Sequence, residues 1–309
     1  MKALVFLFCF SVVAFAKLRP TPHGMRPEEC VLEVPSGSRV SEENGHVRIQ
    51  APDAEGGAVS YYKAPDVCHT DLLDREGIQH RAHVDDEVLP VHGAPQSPEF
   101  PPINGWLDYG GWYPSKADNN IQSFSATYSV PNPPTSNTQQ TLYYFIGIQD
   151  NSSPAVNILQ PVLTFGPPNS GWYVESWACC PSNISVHSSA LTGLKPGTTL
   201  TGLVQRQNAD VWVINSAYNG KNTTLFPDIG GYNYNWFAAT QEVYGVGACN
   251  QFAVGNMTMS KMVLTDKQGG KLSPKWQLTG ATQCGGSIKL VNNSPLAVSI
   301  QHTGAGETD

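Results

Sequence analysis

The chain has 309 residues, with 18 Lys and Arg against 25 Asp and Glu, and carries a net charge of −7. No basic patch stands out, so a nucleic-acid partner is not expected. After the N-terminus no stretch reaches the roughly 18 apolar residues of a membrane helix, so no membrane partner is expected either.

The chain opens with "MKALVFLFCFSVVAFA". A lysine, an apolar run and an Ala-Phe-Ala ending read as a secretory signal peptide, residues 1–16, cleaved after Ala16. Export to the extracellular space or to an acidic vacuole or lysosome is the expected destination. Six cysteines follow Cys9: Cys30, Cys68, Cys179, Cys180, Cys249 and Cys284. An even number in an exported chain points to disulfides. Segment order suggests Cys30 with Cys68, and the other four among themselves. Sequons at Asn151, Asn183, Asn222, Asn256 and Asn292 fit a glycoprotein.

Residues 17–100 hold fifteen acidic and eight basic residues, and six of the chain's eight histidines: His23, His46, His69, His80, His83 and His92. The segment ends in the Pro-rich "VHGAPQSPEFPPING", which reads as an exposed linker. It is read as a small accessory region or propeptide. Its histidines either respond to pH between about 5 and 8 or sit in solvent without a role.

Residues 101–309 show no helical periodicity of useful length. Short β-rich runs follow one another: "SFSATYSV", "TLYYFIGIQ", "NILQPVLTF", "GWYVESWAC", "LTGLVQRQ", "DVWVINSAY", "YNWFAATQEVYG", "SKMVLTD" and "SIKLVN". Turn residues separate them, so the fold is expected to be all-β, an antiparallel β-sandwich or barrel. This part has few carboxylates. Acid denaturation works largely by protonating paired carboxylates, so acid tolerance is expected.

Within this domain only His187 and His302 could serve as bases, and His302 lies in the polar tail "QHTGAGETD". No G-x-S-x-G elbow, H-E-x-x-H, D-T-G or D-S-G occurs, so serine, metallo and aspartic hydrolase readings lose support. No cofactor and no metal are expected. Cys179-Cys180 near His187 is a weak zinc pattern, outweighed by disulfide formation. The domain has just three glutamates, Glu175, Glu242 and Glu307. Strand phase puts Tyr173, Glu175 and Trp177 on one face. It also groups Ile158, Gln160 and Val162, and Ala238, Thr240, Glu242, Tyr244 and Val246. A lone strand glutamate is usually solvent-facing. A glutamine between aliphatics is either solvent-facing or a buried amide that needs partners. Glu175 and Glu242 as a carboxylate pair would suit a glycosidase. The density of Trp and Tyr would suit a carbohydrate-binding sandwich without catalysis, although core packing explains aromatics more often.

The blocks "FSATYSVPNPP", "YYFIGIQD", "NILQ", "GWYVESW" and "FAATQEVYG" come in an order that resembles the eqolisin-type glutamic peptidases, which are pepstatin-insensitive acid peptidases. The resemblance covers residues 105–265. It implies a two-sheet antiparallel sandwich of concanavalin or jelly-roll type at residues 101–309, behind a propeptide at 17–100. It also implies an acid endopeptidase with a Gln/Glu dyad acting on peptide or protein substrates, and a monomer. By position the catalytic pair is Gln160 and Glu242, with Glu175, Phe145 and Trp177 lining the substrate cleft. Departures from the family pattern are Phe145 in place of Trp, Gln149-Asp150 in place of Asp-Gly, and Pro161 after the glutamine. The two residues Val174 and Ser176 also interrupt the Trp-Tyr-Glu-Trp block, and Gln241 is a rival beside Glu242. Lacking an N–H, Pro161 is expected on an edge strand or a bulge.

Overall fold

The computed structural model describes residues 17–52, 58–69, 99–112, 121–150, 156–169, 171–293 and 296–302. The signal peptide, His80, His83, His92, most of the Pro-rich linker and the sequon at Asn151 lie outside them. The N-terminal part carries β1 (Leu18–Thr21), β2 (Gly24–Pro27), β3 (Val31–Val34), β4 (Ser38–Glu43), β5 (His46–Gln50) and β6 (Val59–Lys63). Then come β7 (Glu99–Trp112), β8 (Ile121–Ser129), β9 (Thr141–Gln149), β10 (Ile158–Phe165), β11 (Trp172–Ala178), β12 (Ser185–Ser188) and β13 (Leu191–Leu194). The remainder is β14 (Thr199–Arg206), β15 (Trp212–Tyr218), β16 (Lys221–Asp228), β17 (Trp236–Ala248), β18 (Met257–Asp266), β19 (Gln277–Thr279), β20 (Gly286–Asn293) and β21 (Leu296–His302).

These strands form a two-sheet β-sandwich. One sheet runs β19-β7-β17-β9-β10-β11-β12-β3, with β13 also paired to β11. The other runs β20-β21-β18-β8-β14-β15-β16-β4-β5-β6. Pairing is antiparallel except where β3 joins β12 and β4 joins β16 in parallel. The N-terminal strands thus extend both sheets at one side. They also feed the main core with Val34, Val40, Val47 and the Cys30–Cys68 disulfide.

Alternation explains the layers. On the second sheet β8 buries Phe124, Ala126 and Tyr128, and β14 buries Leu200 and Val204. The first sheet differs, because β9, β10 and β11 are buried on both faces. Leu142, Tyr144, Ile146, Leu159 and Leu163 point into the core between the sheets. Tyr143, Phe145, Ile158, Val162 and Trp177 point the other way, into a second apolar cluster that also holds Met25 of β2. The β1–β2 hairpin therefore lies over the outer face of the first sheet.

Two features depart from the strand reading. Val246 does not share a face with Tyr244. The pairing shifts between them, Gly245 takes φ +70°, and Val246 turns into the main core. Such a positive φ suits glycine and produces a bulge. Pro161 lies on a central strand, not an edge, since β10 sits between β9 and β11. Its β9 ladder is interrupted at Gln160 and Pro161. Tyr128 from the opposite sheet fills the gap. The Ile146 N–H donates to Tyr128 Oη at 2.9 Å, and that hydroxyl donates to the Pro161 carbonyl at 3.4 Å. Gly202 makes room, because a Cβ there would lie 2.5 Å from the Tyr128 ring and 2.8 Å from Pro161.

The remaining cysteines pair as Cys179–Cys180 and Cys249–Cys284. Asn183, Asn222, Asn256 and Asn292 are all exposed.

Candidate active site

The outer face of the first sheet collects the residues that the sequence singled out. Gln160 on β10 is the register partner of Trp177 on β11. Val162, one step along the same face, pairs with both Glu175 and Phe145. Phe145 pairs with Thr240, and Glu242 pairs with Tyr143 on one side and Trp106 of β7 on the other. Gln160, Glu175, Phe145, Trp177 and Glu242 are all buried. Glu175 is thus not the solvent-facing residue that a lone strand glutamate usually is.

Two buried carboxylates differ in their company. Glu175 accepts a hydrogen bond from Trp177 Nε1 at 3.1 Å and lies 3.2 Å from His187 Nδ1. Trp177 and His187 stack at 4.3 Å, so acid, imidazole and indole brace one another. Glu242 has no cationic partner at hydrogen-bonding distance among the described residues. Tyr244 Oη donates to its Oε1, and its Oε2 is buried with no hydrogen-bond partner. Burial pushes the Glu242 pKa up to about 8, opposed by Tyr244, the Trp106 indole and the Gly24 amide. A carboxyl of this kind, out of water and without a counter-charge, is the usual setting of a tuned acid or base.

The hairpin β1–β2 lies across these groups. Gln160 Nε2 donates to the Pro22 carbonyl at 2.6 Å. The Gly24 amide is among the groups that oppose the rise of the Glu242 pKa. Tyr143 Oη donates to the Pro20 carbonyl at 2.9 Å. Arg26 Nη2 donates to the Asn183 carbonyl. His23 is buried with Nε2 2.7 Å from Ser185 Oγ. Burial first, and the charge of Arg26 second, lower the His23 pKa to about 3, with the Gln160 side chain opposing. His23 is therefore neutral while docked.

The sequence reading placed the catalytic candidates on this face but missed Trp106, Tyr143, Tyr244, Ser185 and His23. Tyr244 was within reach, two positions after Glu242 on the same strand face. His23 was not, because a charged, Pro-rich segment gives no sign of being buried. Gln241, the rival to Glu242, faces the core. Its Nε2 donates to Tyr144 Oη at 2.8 Å, and its Oε1 lies 2.8 Å from His302 Nε2. His302 is no part of a solvated tail. It is buried, 3.1 Å from Asp108 Oδ2 and stacked on Phe252 at 3.8 Å. The imidazole near Cys179–Cys180 is His23 and not His187. Sulfurs joined in a disulfide offer no thiolate to a metal.

No family model matches the sequence, and no curated protein matches it. Solved structures do share the fold. Scytalido-glutamic peptidase with a peptide-based transition-state analogue aligns at TM-score 0.50 and 12% identity, over 65% of this chain and 100% of that one. SCP-B, a member of the eqolisin family solved with the tripeptide Ala-Ile-His, aligns at TM-score 0.49 and 12% identity over the same shares. By the first of these the chain is similar in fold to scytalido-glutamic peptidase, a distant likeness that spans the whole of that chain.

Proposed function

We propose that the protein is an exported acid endopeptidase that uses Gln160 and Glu242, and that its own N-terminal hairpin keeps the cleft closed. The observation that carries this reading is a peptide carbonyl, that of Pro22, held by Gln160 at 2.6 Å on the face where Glu242 is buried. In the open cleft a water enters beside Glu242. The carboxylate takes a proton from it as the oxygen attacks the scissile carbonyl. The Gln160 amide donates to the oxyanion and keeps that role at any acid pH, because it does not titrate. Glu242 then returns its proton to the leaving amine as the C–N bond breaks.

The same geometry supports silence in the closed form. Glu242, raised to about 8 by burial, is protonated throughout the acid range and cannot act as a base. Opening the cleft admits water, removes the larger part of that desolvation and lets the group ionise. Glu175 is less suited to be half of a glycosidase pair, since both its oxygens are committed to Trp177 and His187.

The test is a protein-substrate digest with the full exported chain at pH 3–6, with and without pepstatin. Pepstatin-insensitive cleavage is expected. Glu242→Gln and Gln160→Ala are expected to abolish it while leaving thermal unfolding cooperative. Retained cleavage in both variants overturns the dyad.

A further inference from the structure

The side chain of His23 enters a built pocket beside Gln160. Its imidazole Nε2 is 2.7 Å from Ser185 Oγ. Its ring meets Trp177 edge-on, at a centroid distance of 5.9 Å and an angle of 72°. The Cys179 and Cys180 sulfurs lie within 4.8 Å of a ring nitrogen. Ser185, Trp177 and Cys179 are all buried, and the Trp177 wall is held from behind by Glu175 and His187. The position of the pocket follows from register. Trp177 is directly opposite Gln160 on the same face, and such cross-strand side chains stand about 5 Å apart. When Gln160 holds a peptide carbonyl, the next side chain along the peptide falls onto Trp177.

We propose that this pocket is a specificity subsite of the cleft, selecting a flat, uncharged, hydrogen-bonding side chain at the residue that follows the carbonyl held by Gln160. The proposal rests on the peptidase reading above. Trp177 and the disulfide offer a slot of apolar walls, and Ser185 offers a hydroxyl that can donate or accept. Glutamine and neutral histidine satisfy both. Leucine leaves the buried hydroxyl without its ligand partner, and aspartate brings a charge into an apolar slot. Histidine carries a further signature. Burial holds His23 far below the ordinary histidine value, so the pocket takes the neutral ring. A histidine peptide should therefore gain on a glutamine peptide by about tenfold per pH unit as pH rises toward 6.5.

The experiment uses the full chain after acid activation and four peptides that differ at this one position: Gln, His, Leu and Asp. The expected order of kcat/KM at pH 4 is Gln above Leu above Asp. In Ser185→Ala the Gln:Leu ratio should fall about fivefold, the worth of one hydrogen bond, and Ser185→Thr, which keeps the hydroxyl, should restore it. Equal cleavage of all four peptides, or an unchanged ratio in Ser185→Ala, overturns the subsite and leaves the peptidase standing. No cleavage of any peptide, nor of a protein digest, is the separate result that removes the peptidase reading itself.

Discussion

Gln160 donates its side-chain amide to the main-chain carbonyl of Pro22, 138 residues earlier, at 2.6 Å. An amide aimed at a carbonyl is what an oxyanion donor needs before reaction. Here the carbonyl belongs to the protein itself, on a two-residue turn between β1 and β2. Among the described residues that hairpin pairs only with itself. It is held to the sandwich by side chains: Met25 in the apolar cluster, His23 in its pocket, and Arg26 on Asn183.

Charge at Met25 should therefore open the cleft without acid. Met25 is 2% exposed, among Tyr143, Phe145, Val162 and Trp177. An unpartnered carboxylate there costs about 3 kcal/mol, roughly a hundredfold shift toward the open form. Met25→Asp is expected to cleave peptide at pH 5.5 with no prior acid step, while wild type lags. Similar lags in both would count against the hairpin as the plug.

The pH dependence of the closed form has a specific shape. In the closed form burial holds His23 at about 3 instead of 6.5 and Glu242 at about 8 instead of 4.5, with the free values taken for the open form. The His23 contribution is full above 6.5 and is lost as pH falls toward 3. The Glu242 contribution is full below 4.5 and is lost as pH rises toward 8. Between 4.5 and 6.5 the two slopes cancel, since docking neutralises one cation and one anion together. Docking should be flat in that window and weaken about tenfold per unit below it and above it. The groups facing His23 are Arg26, Gln160, Ser185, Trp177 and the Cys179–Cys180 disulfide; those facing Glu242 are Tyr244, Trp106, Tyr143 and the Gly24 amide. Glu242→Gln removes one slope. In that variant the opening constant at the Gly24 amide, taken from hydrogen exchange after dividing out the intrinsic rate, should begin to rise at 6.5 as pH falls. An onset near 4.5 instead would show that His23 does not control release.

Much of this site could be read from strand phase. Gln160, Glu175 with Trp177, and Glu242 fall on one face because each run alternates, and the fold keeps that alternation. The Cys30–Cys68 pair also followed from segment order. What escaped depended on contacts made at long range. His302 looks solvated until Asp108, 194 residues earlier, meets it in the core. Val246 looks in phase until Gly245 bulges. The hairpin reads only as part of a charged accessory region or propeptide, because its burial comes from the sheet it covers and not from its own pattern.

The disulfides predict how the N-terminal segment leaves. Cys30–Cys68 lies wholly within it, and Cys179–Cys180 and Cys249–Cys284 lie wholly within the sandwich. No described disulfide ties the two together, so a cut between residues 69 and 99 frees the segment covalently. It is still bound through β3 on β12, through β4 on β16, and through Val34, Val40 and Val47 in the main core. After cleavage the two pieces should separate on a denaturing gel without reductant, yet run together on a sizing column at pH 5.5. Pieces that need reductant to separate would contradict the disulfide map.

The wedge at Pro161 predicts a residue that positions the glutamine without touching substrate. The β9 ladder opens at Gln160 and Pro161, so the Ile146 N–H no longer reaches the Pro161 carbonyl and would be stranded in the core. Tyr128 Oη takes that N–H at 2.9 Å and passes its own proton toward the Pro161 carbonyl. Burial raises the Tyr128 pKa, so the hydroxyl keeps its proton throughout the working range. Gln160, the residue before the proline, is thereby also braced on the β9 side, where the ladder is interrupted, while its pairing with β11 continues. Tyr128→Phe keeps the ring and removes the bridge. The stranded amide should cost about 1–3 kcal/mol of stability. If the hydroxyl also sets the Gln160 amide, kcat should fall about tenfold for a misplacement well under 1 Å, with KM and the pH profile unchanged. The Gln160 side-chain NH₂ resonances should move in the NMR spectrum of the closed form. A lower melting temperature with wild-type kcat and unmoved Gln160 resonances would leave Tyr128 a filler of the gap and nothing more.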